Sequence, residues 1–344
     1  MFFDNIYVSP EVADNPLVKA AIERIPHNSV KPATGENHPG NGLLLTVNRG
    51  SFLKPCPGQK GNICCGYWVV EWGMGCPFRC EYCVLQYYIK PGDVTWFLNW
   101  EDCLREVSDL RIRTKGNLRI GTGEFGDSLA LEEFFPLNSA LIDFTSSMPG
   151  VTIEVKTKSD KISNLENIKN RKHVIVAFSL NVNEVTQNIE HGTASLKDRL
   201  KSAVQIARWG YKPAFHFDPL IPVKNWKEKY QNVIDMLGEN FSDIPVAWIS
   251  LGSFRFPKAF QEAAEFSYPN STIFREEFYP CDDGKMRYFR PLREEMYGFM
   301  LKNLKAVFGK TKVYICMESP DVWERVTGDR WNSLELKMYL DEWS

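Results

Sequence analysis

Apolar and polar positions along this chain fall into blocks that switch between strand-like runs and helical spacing. The segments YWVVEW (67–72), NLRIGTGEF (117–125), VTIEVKT (151–157), HVIVAFSL (173–180), KPAFHFDPLI (212–221) and VAWISL (246–251) are short and apolar, rich in β-branched and aromatic residues, and predict strands. Helical spacing lies between them: residues 99–111, with Leu104, Val107 and Leu110 on one side, then 129–147, a short piece near 161–170, 195–209, 226–238 and 257–267. Strands that alternate with helices predict a parallel sheet with right-handed crossovers, and about six such units make a partial (β/α)6 barrel, an α/β fold.

The ends of the chain read differently. Residues 1–45 carry Pro10, Pro16, Pro26, Pro32 and Pro39 with little periodicity beyond a helical candidate at 16–24, which predicts an extension draped over a domain. Residues 294–344 read as a helix, a strand KVYICM (312–317) and two short helices ending in LKMYLDEWS. The expected organisation is an N-terminal extension with a cysteine-rich loop (1–66), the barrel (67–270), and a C-terminal extension (271–344) that closes or supports the barrel.

Composition narrows the setting. Hydrophobic content of 44% and charged content of 24% are ordinary for a soluble globular protein. No apolar run reaches the roughly 18 residues of a membrane span, and the N-terminus lacks the basic-then-apolar plan of a signal peptide. Nine cysteines without an export signal fit a reducing compartment, so a cytoplasmic protein with no membrane partner is expected. A net charge of −2 gives no global pull toward nucleic acid, and any such binding must rest on local patches.

The chemistry concentrates in WGMGCPFRCEYCVLQ (72–86), where Cys76, Cys80 and Cys83 stand in a C-x-x-x-C-x-x-C spacing after the first strand. Three thiolates cannot complete a tetrahedral zinc site, which needs four ligands. They can hold a four-iron cubane with one iron left open to a small chelating ligand. The plainer alternatives are a zinc knuckle that borrows Cys103, or buried cysteines acting as small hydrophobes. Cys56, Cys64 and Cys65 with Cys281 could hold a second cluster or metal, although adjacent cysteines point apart in a regular strand and simple burial explains them as well. Cys316, in an apolar strand, reads as a core residue.

In parallel α/β folds the chemistry gathers at the carboxyl ends of strands. The second strand ends in GTGEFGDS (121–128), offering Gly121 and Gly123 for close backbone approach and Glu124, Asp127 and Ser128 as polar groups. The third ends at Lys156 and Lys158, the fourth at Ser179 and Asn181, the fifth at His216 and Asp218.

The cysteine spacing, with Tyr82 before the last cysteine and the first strand ahead of it, resembles the signature of the radical S-adenosylmethionine enzymes. More narrowly, CPFRCEYCVLQ, TGEFGDSL, VKTKSDKI, FSLN and IEHGTASLKDRLKSAVQIARWGYKPAFHFDPLI followed by NWKEKY resemble the spore photoproduct lyase family in order and spacing over roughly 67–256. The resemblance implies a 4Fe-4S cluster on Cys76, Cys80 and Cys83, S-adenosylmethionine as second cofactor, and a reducing electron donor of the flavodoxin or ferredoxin type. It implies reductive cleavage to a 5′-deoxyadenosyl radical that abstracts hydrogen from a thymine lesion in DNA. Residue by residue, Gly123 and Glu124 would meet the methionyl amino group, Asp127 and Ser128 would lie beside S-adenosylmethionine, Lys158 would pair with its carboxylate and Ser179 would sit near ribose or carboxylate. Tyr82 would serve catalysis.

The chain also departs from that family. The lyases return a hydrogen atom from a cysteine just after the second strand, aided by two tyrosines flanking the last cluster cysteine. Here GTGEFGDS holds no cysteine and Val84 follows Cys83. Radical modification or rearrangement of a nucleobase or other small molecule is therefore a second expectation, and a zinc-binding nucleic-acid protein without catalysis a third. A nucleic-acid surface is expected from DGKMRYFRPLREEMY (283–297), which brings Lys285, Arg287, Arg290 and Arg293 together with Tyr288 and Phe289, and from Arg255 and Lys258. A helix with a charged outer and aromatic inner face accounts for the same pattern.

Overall fold

The computed structural model describes residues 2–34, 41–56, 58 and 61–341; Pro39 and the last residues of LKMYLDEWS lie outside them. The N-terminal segment begins with β1 (Phe3–Val8), α1 (Pro16–Arg24), β2 (His27–Pro32) and β3 (Gly42–Thr46). The Asn15 side chain accepts from the Leu17 amide at 2.9 Å and Pro16 opens the first turn, a pairing that suits a helix start. After β4 (Leu53–Pro55) and β5 (Trp68–Val70) come β6 (Gly73–Gly75), β7 (Arg79–Cys80) and β8 (Val94–Phe97).

A five-stranded sheet runs in the order β2-β1-β3-β8-β6, with only the β6–β8 pair antiparallel. This corrects the draped extension expected from the prolines. Phe3, Ile6, Leu43 and Leu45 are at most 1% exposed, so β1, β2 and β3 build a layer with its own core face. The sheet was hidden because its partners are far apart in the chain: Leu43 pairs with Val94, and β6 leads straight into the cysteine loop.

The alternating part follows expectation closely. It comprises α2 (Trp100–Arg113), β9 (Leu118–Gly121), α3 (Leu137–Thr145), β10 (Val151–Thr157), β11 (Val174–Ser179), α4 (Asn183–Asn188), β12 (Glu190–His191), α5 (Leu196–Arg208), β13 (Lys212–Leu220), α6 (Trp226–Phe241) and β14 (Trp248–Ser253). The helix expected from 129 starts only at Leu137, because Pro136 interrupts the run. The one expected near 161–170 is a single tight turn at 163–165, and the Arg171 guanidinium takes up the carbonyls of Glu166 and Ile168 there.

The C-terminal part holds β15 (Arg255–Pro257), α7 (Phe260–Ser267), β16 (Phe278–Pro280), β17 (Lys285–Tyr288), α8 (Arg290–Phe308), β18 (Lys312–Ile315), α9 (Pro320–Thr327) and α10 (Ser333–Asp341). The main sheet runs β4-β5-β9-β10-β11-β13-β14-β18, parallel throughout except for the β4–β5 pair. It is a curled, incomplete barrel, and the segment expected only to close or support it supplies its last parallel strand. The two edges approach where the Ile63 amide donates to the Glu318 carbonyl at 2.8 Å.

Period-two alternation turns every second side chain of these strands toward the barrel interior. Arg119, Glu154, His216 and Trp248 meet there: His216 Nε2 lies 2.7 Å and Trp248 Nε1 3.3 Å from Glu154 Oε1, with the Arg119 guanidinium over the Trp248 ring at 5.5 Å. Among the described residues, no helix is long and apolar enough to cross a membrane.

Candidate active site

The cysteine loop leaves β6 at Gly75, whose φ of +101° and whose closeness to the Asp93 carbonyl leave no room for a side chain. Cys80 lies opposite Glu190 in the short antiparallel ladder of β7 with β12, and the Cys83 amide donates to the Cys80 carbonyl at 3.0 Å. This turn and ladder gather Cys76, Cys80 and Cys83 around one small cavity also lined by Phe78 and Tyr268. Burial pushes each thiol up, and the nearby Lys158 ammonium pulls Cys80 and Cys83 back down. Three neighbouring soft donors beside a cation, with no fourth among the described residues, suit a cubane with one open iron.

Among the described residues, no three or more His, Cys, Asp or Glu gather as they would around one ion. The thiolates of a cubane bind different irons, so they stand farther apart than the ligands of a single ion. A zinc knuckle fares worse. Cys103 is fully buried in α2, and its thiol is pushed up to about 12 by burial and by Glu106. The second metal site expected from Cys56, Cys64, Cys65 and Cys281 is not assembled either. The Cys64 thiol interacts with those of Cys56 and Cys65, whereas Cys281 Sγ points to the Tyr279 carbonyl at 3.9 Å.

Facing the thiols is the 121–128 turn. A Cβ on Gly123 would stand 2.7 Å from Lys156 Cβ, so glycine is what lets this turn lie against β10. The Glu124 carboxylate is bonded by the Tyr67 hydroxyl and the Lys156 ammonium. Burial works against its charge, but Lys156, Tyr67 and His216 win and hold it down at about 2.

Asp127 and Ser128 spend their polar atoms inside the fold. Asp127 Oδ1 accepts from the amides of Leu129 and Ala130 at 3.0 Å and from Thr157 Oγ1 at 2.7 Å, and Oδ2 accepts from the Lys158 amide at 2.6 Å. Ser128 Oγ accepts from the Lys156 amide at 3.1 Å and bonds Thr122 Oγ1 at 2.8 Å. These bonds tie the glycine turn to the end of β10 and fix where Lys158 emerges. The Lys158 ammonium lies 5.6 Å from the Tyr82 ring centre, and among the described residues no carboxylate is ion-paired with it. Ser179 is buried at the end of β11, its carbonyl accepting from Arg199 Nη1 at 2.9 Å.

Tyr82 is buried and its hydroxyl donates to Glu190, which Arg199 Nη2 holds at 2.6 Å. Beside it, His191 Nε2 lies 2.8 Å from Glu81 Oε1 and its ring stacks on Tyr268 at 5.8 Å.

This geometry, a partial parallel barrel with three thiols at its carboxyl rim, matches known proteins. The family model described as spore photoproduct lyase matches residues 65–314. The chain belongs to the spore photoproduct lyase family. The spore photoproduct lyase of Clostridium acetobutylicum is 25% identical over 253 residues, covering 70% of this chain and 73% of that one. That of Bacillus subtilis is 23% identical over 310 residues, covering 82% and 85%. A solved mutant spore photoproduct lyase with dinucleoside spore photoproduct superposes at a TM-score of 0.79 with 19% identity, over 92% of this chain and 99% of that one. A second mutant, with bound AdoMet and the dinucleoside, gives 0.78 and 18% over the same shares. Membership makes this chain one of a family of radical S-adenosylmethionine lyases, and the fold agrees.

The nucleic-acid surface expected around 283–297 is corrected in its detail. Arg287 is 2% exposed and bonded to both Asp283 oxygens at 2.6 and 2.7 Å. Arg293 is paired with Glu318 at 2.9 Å and Arg290 with Glu294 at 2.8 Å. Arg255 forks onto Asp218 at 3.2 and 3.1 Å. Tyr288 is fully buried, and Phe289, half exposed, is the ring of that stretch left at the surface. Sequence reasoning passed over Tyr67, Glu154, Glu190 and Arg199. Only Tyr67 left a signal, as the aromatic residue that opens the run YWVVEW.

Proposed function

We propose that this protein binds a 4Fe-4S cluster and S-adenosylmethionine and repairs a methylene-bridged thymine lesion of DNA. The observation that carries the reading is the trio Cys76, Cys80 and Cys83 on one cavity with the Lys158 ammonium beside it and, among the described residues, no fourth cysteine on that cavity. Those thiolates would hold the cluster, which with S-adenosylmethionine supplies a carbon radical able to take hydrogen from an unactivated position. Lys158 offers the methionyl carboxylate a charge-assisted bond, and among the described residues its ammonium has no ion pair to give up. The Gly123 turn, locked by Asp127 and Ser128, offers backbone groups to the methionyl amine. Tyr82, Glu190 and Arg199 keep the loop rigid and exclude water behind it.

The relatives' names, and solved lyases with dinucleoside spore photoproduct, support the lesion as substrate. A donor of the flavodoxin or ferredoxin type would supply the electron. The absence of a cysteine in 121–128 favours a second reading, radical modification of a nucleobase without repair. Anaerobic reconstitution decides: a brown protein with about four irons that cleaves S-adenosylmethionine under dithionite and releases thymine from the dinucleoside lesion supports repair. Cleavage with the lesion untouched turns the assignment to the second reading. A colourless protein that binds zinc, or a Cys83→Ala variant that still cleaves, overturns the cofactor assignment.

A further inference from the structure

The cluster cysteines, Lys158 and the Gly123 turn supply no hydrogen atom with which the proposed repair could balance. A lesion that gives one hydrogen atom to the deoxyadenosyl radical must regain one if two intact thymines are to leave. An S–H bond is weak enough to supply it to a carbon radical, and residues 121–128 hold no thiol. Six cysteines lie outside the cluster triad. Cys103 is sealed in α2, Cys56 and Cys64 pair with one another outside the main sheet, and Cys281 sits in the turn between β16 and β17. Cys65 and Cys316 remain, with Cys65 near enough to be felt at the Cys316 thiol. Cys65 is only 6% exposed and packed against Cys64 and Arg119.

Cys316 follows directly on β18, at the carboxyl rim that also carries the cysteine loop. Its amide donates to the Leu251 carbonyl at 2.7 Å, which continues the Ser250–Tyr314 and Leu251–Ile315 register and sets Cys316 beside Gly252. A side chain on Gly252 would collide with the Asp218 carboxylate at 2.6 Å, so glycine makes room for Asp218 beside Cys316. The Cys316 sulfur lies 4.0 Å from Arg255 Nη2, whose fork on Asp218 holds it in place. Glu124, from the opposite side of the mouth, also bears on the thiol, and the residue is partly exposed rather than sealed. Burial pushes the thiol up, with Arg255 opposing, so it stays S–H at neutral pH; a thiolate would have no hydrogen to give.

Resting on the proposed repair, we infer that Cys316 returns the hydrogen atom to the product radical. The Cys316 S–H bond breaks, a C–H bond forms on the thymine-centred radical, and a thiyl radical is left on Sγ. One electron from the one-electron reductant that drives the enzyme and one proton from solvent restore the thiol. The sequence placed Cys316 in the core; the structure puts it on the rim.

The test uses reconstituted full-length enzyme and the dinucleoside lesion in heavy water, with Cys316→Ser and Cys65→Ser beside the wild type. Serine keeps the size, but its O–H bond is too strong to break here. The wild type should release thymine carrying deuterium. C316S should bind the cluster and consume the lesion, while its thymine yield falls about tenfold or more and adducts of the trapped radical accumulate. C65S should retain both yield and label. With no S-adenosylmethionine or reductant present, the dinucleoside should also shield Cys316 from maleimide alkylation, read by peptide mass mapping. Undiminished thymine yield with unchanged label in C316S, or the loss appearing in C65S instead, overturns the role while leaving repair intact. A wild type that cleaves S-adenosylmethionine and ignores the lesion overturns the substrate, and this role with it.

Discussion

Arg199 and Glu190, both almost wholly removed from solvent, are joined at 2.6 Å, and Glu190 in turn accepts the hydroxyl of Tyr82, which stands between Cys80 and Cys83. The guanidinium is fully used: it also bonds the carbonyls of Ala194 and Ser179 at 2.9 Å. Arg199→Ala leaves a buried carboxylate without its cation, a change that costs about 3–5 kcal/mol. The expected outcome is a lower denaturation midpoint together with lower iron content per chain after reconstitution. Full iron loading at a wild-type midpoint would show that the pair does not support the cysteine loop.

Lys158 is expected to act on cofactor affinity rather than on folding, because among the described residues its ammonium has no ion pair to lose. A charge-assisted hydrogen bond is worth about 1.5–3 kcal/mol. Lys158→Gln should therefore weaken S-adenosylmethionine binding roughly ten- to a hundredfold with the denaturation midpoint little changed. Calorimetric titration of the reconstituted protein measures it.

Glu124 gives a pH signature. Its carboxyl sits at about 2 when folded against an ordinary 4.5, despite burial, because Lys156 and Tyr67 favour the charged form. A depressed carboxylate contributes stability that is complete above 4.5 and lost as pH falls toward 2. Glu124→Gln removes that contribution, so denaturant midpoints of wild type and variant should differ most near neutrality and converge below pH 4.5. A gap that stays constant down to the acid end would mean that the ion pair does not form.

Gly126 lies where the glycine turn meets the cysteine loop. A Cβ there would stand 2.4 Å from the Gly75 carbonyl and 2.5 Å from the Trp72 ring. Gly126→Ala should cost about 1–3 kcal/mol by overpacking and should displace the residue before Cys76. Stability and iron content are expected to fall together.

How much of this was legible in advance follows the range of the interactions. The main alternating strands β9, β10, β11, β13 and β14 and the helices α2, α5, α6 and α7 were readable because periodicity is local, and the three cysteines because eight residues and one turn suffice to gather them. Ordered side-chain use was not readable. Asp127 looks like a ligand group in sequence, and only the meeting of its loop with the end of β10 shows its oxygens already engaged by Leu129, Ala130, Thr157 and Lys158.

The sequence by itself determined a thiol triad on an alternating α/β frame, since spacing along one chain decides which ligands and which periods are available. Tertiary structure alone decided the rest. Parallel pairing of distant strands turned the proline-broken N-terminus into a sheet and added β18 to the barrel. It brought Asp218 to Arg255 and Glu318 to Arg293, which withdrew most of an apparent basic patch into internal ion pairs. It also set Cys316 at the mouth. Charge pairing and burial depend on which strands become neighbours, and that register is a property of the whole folded sheet rather than of any local stretch of sequence.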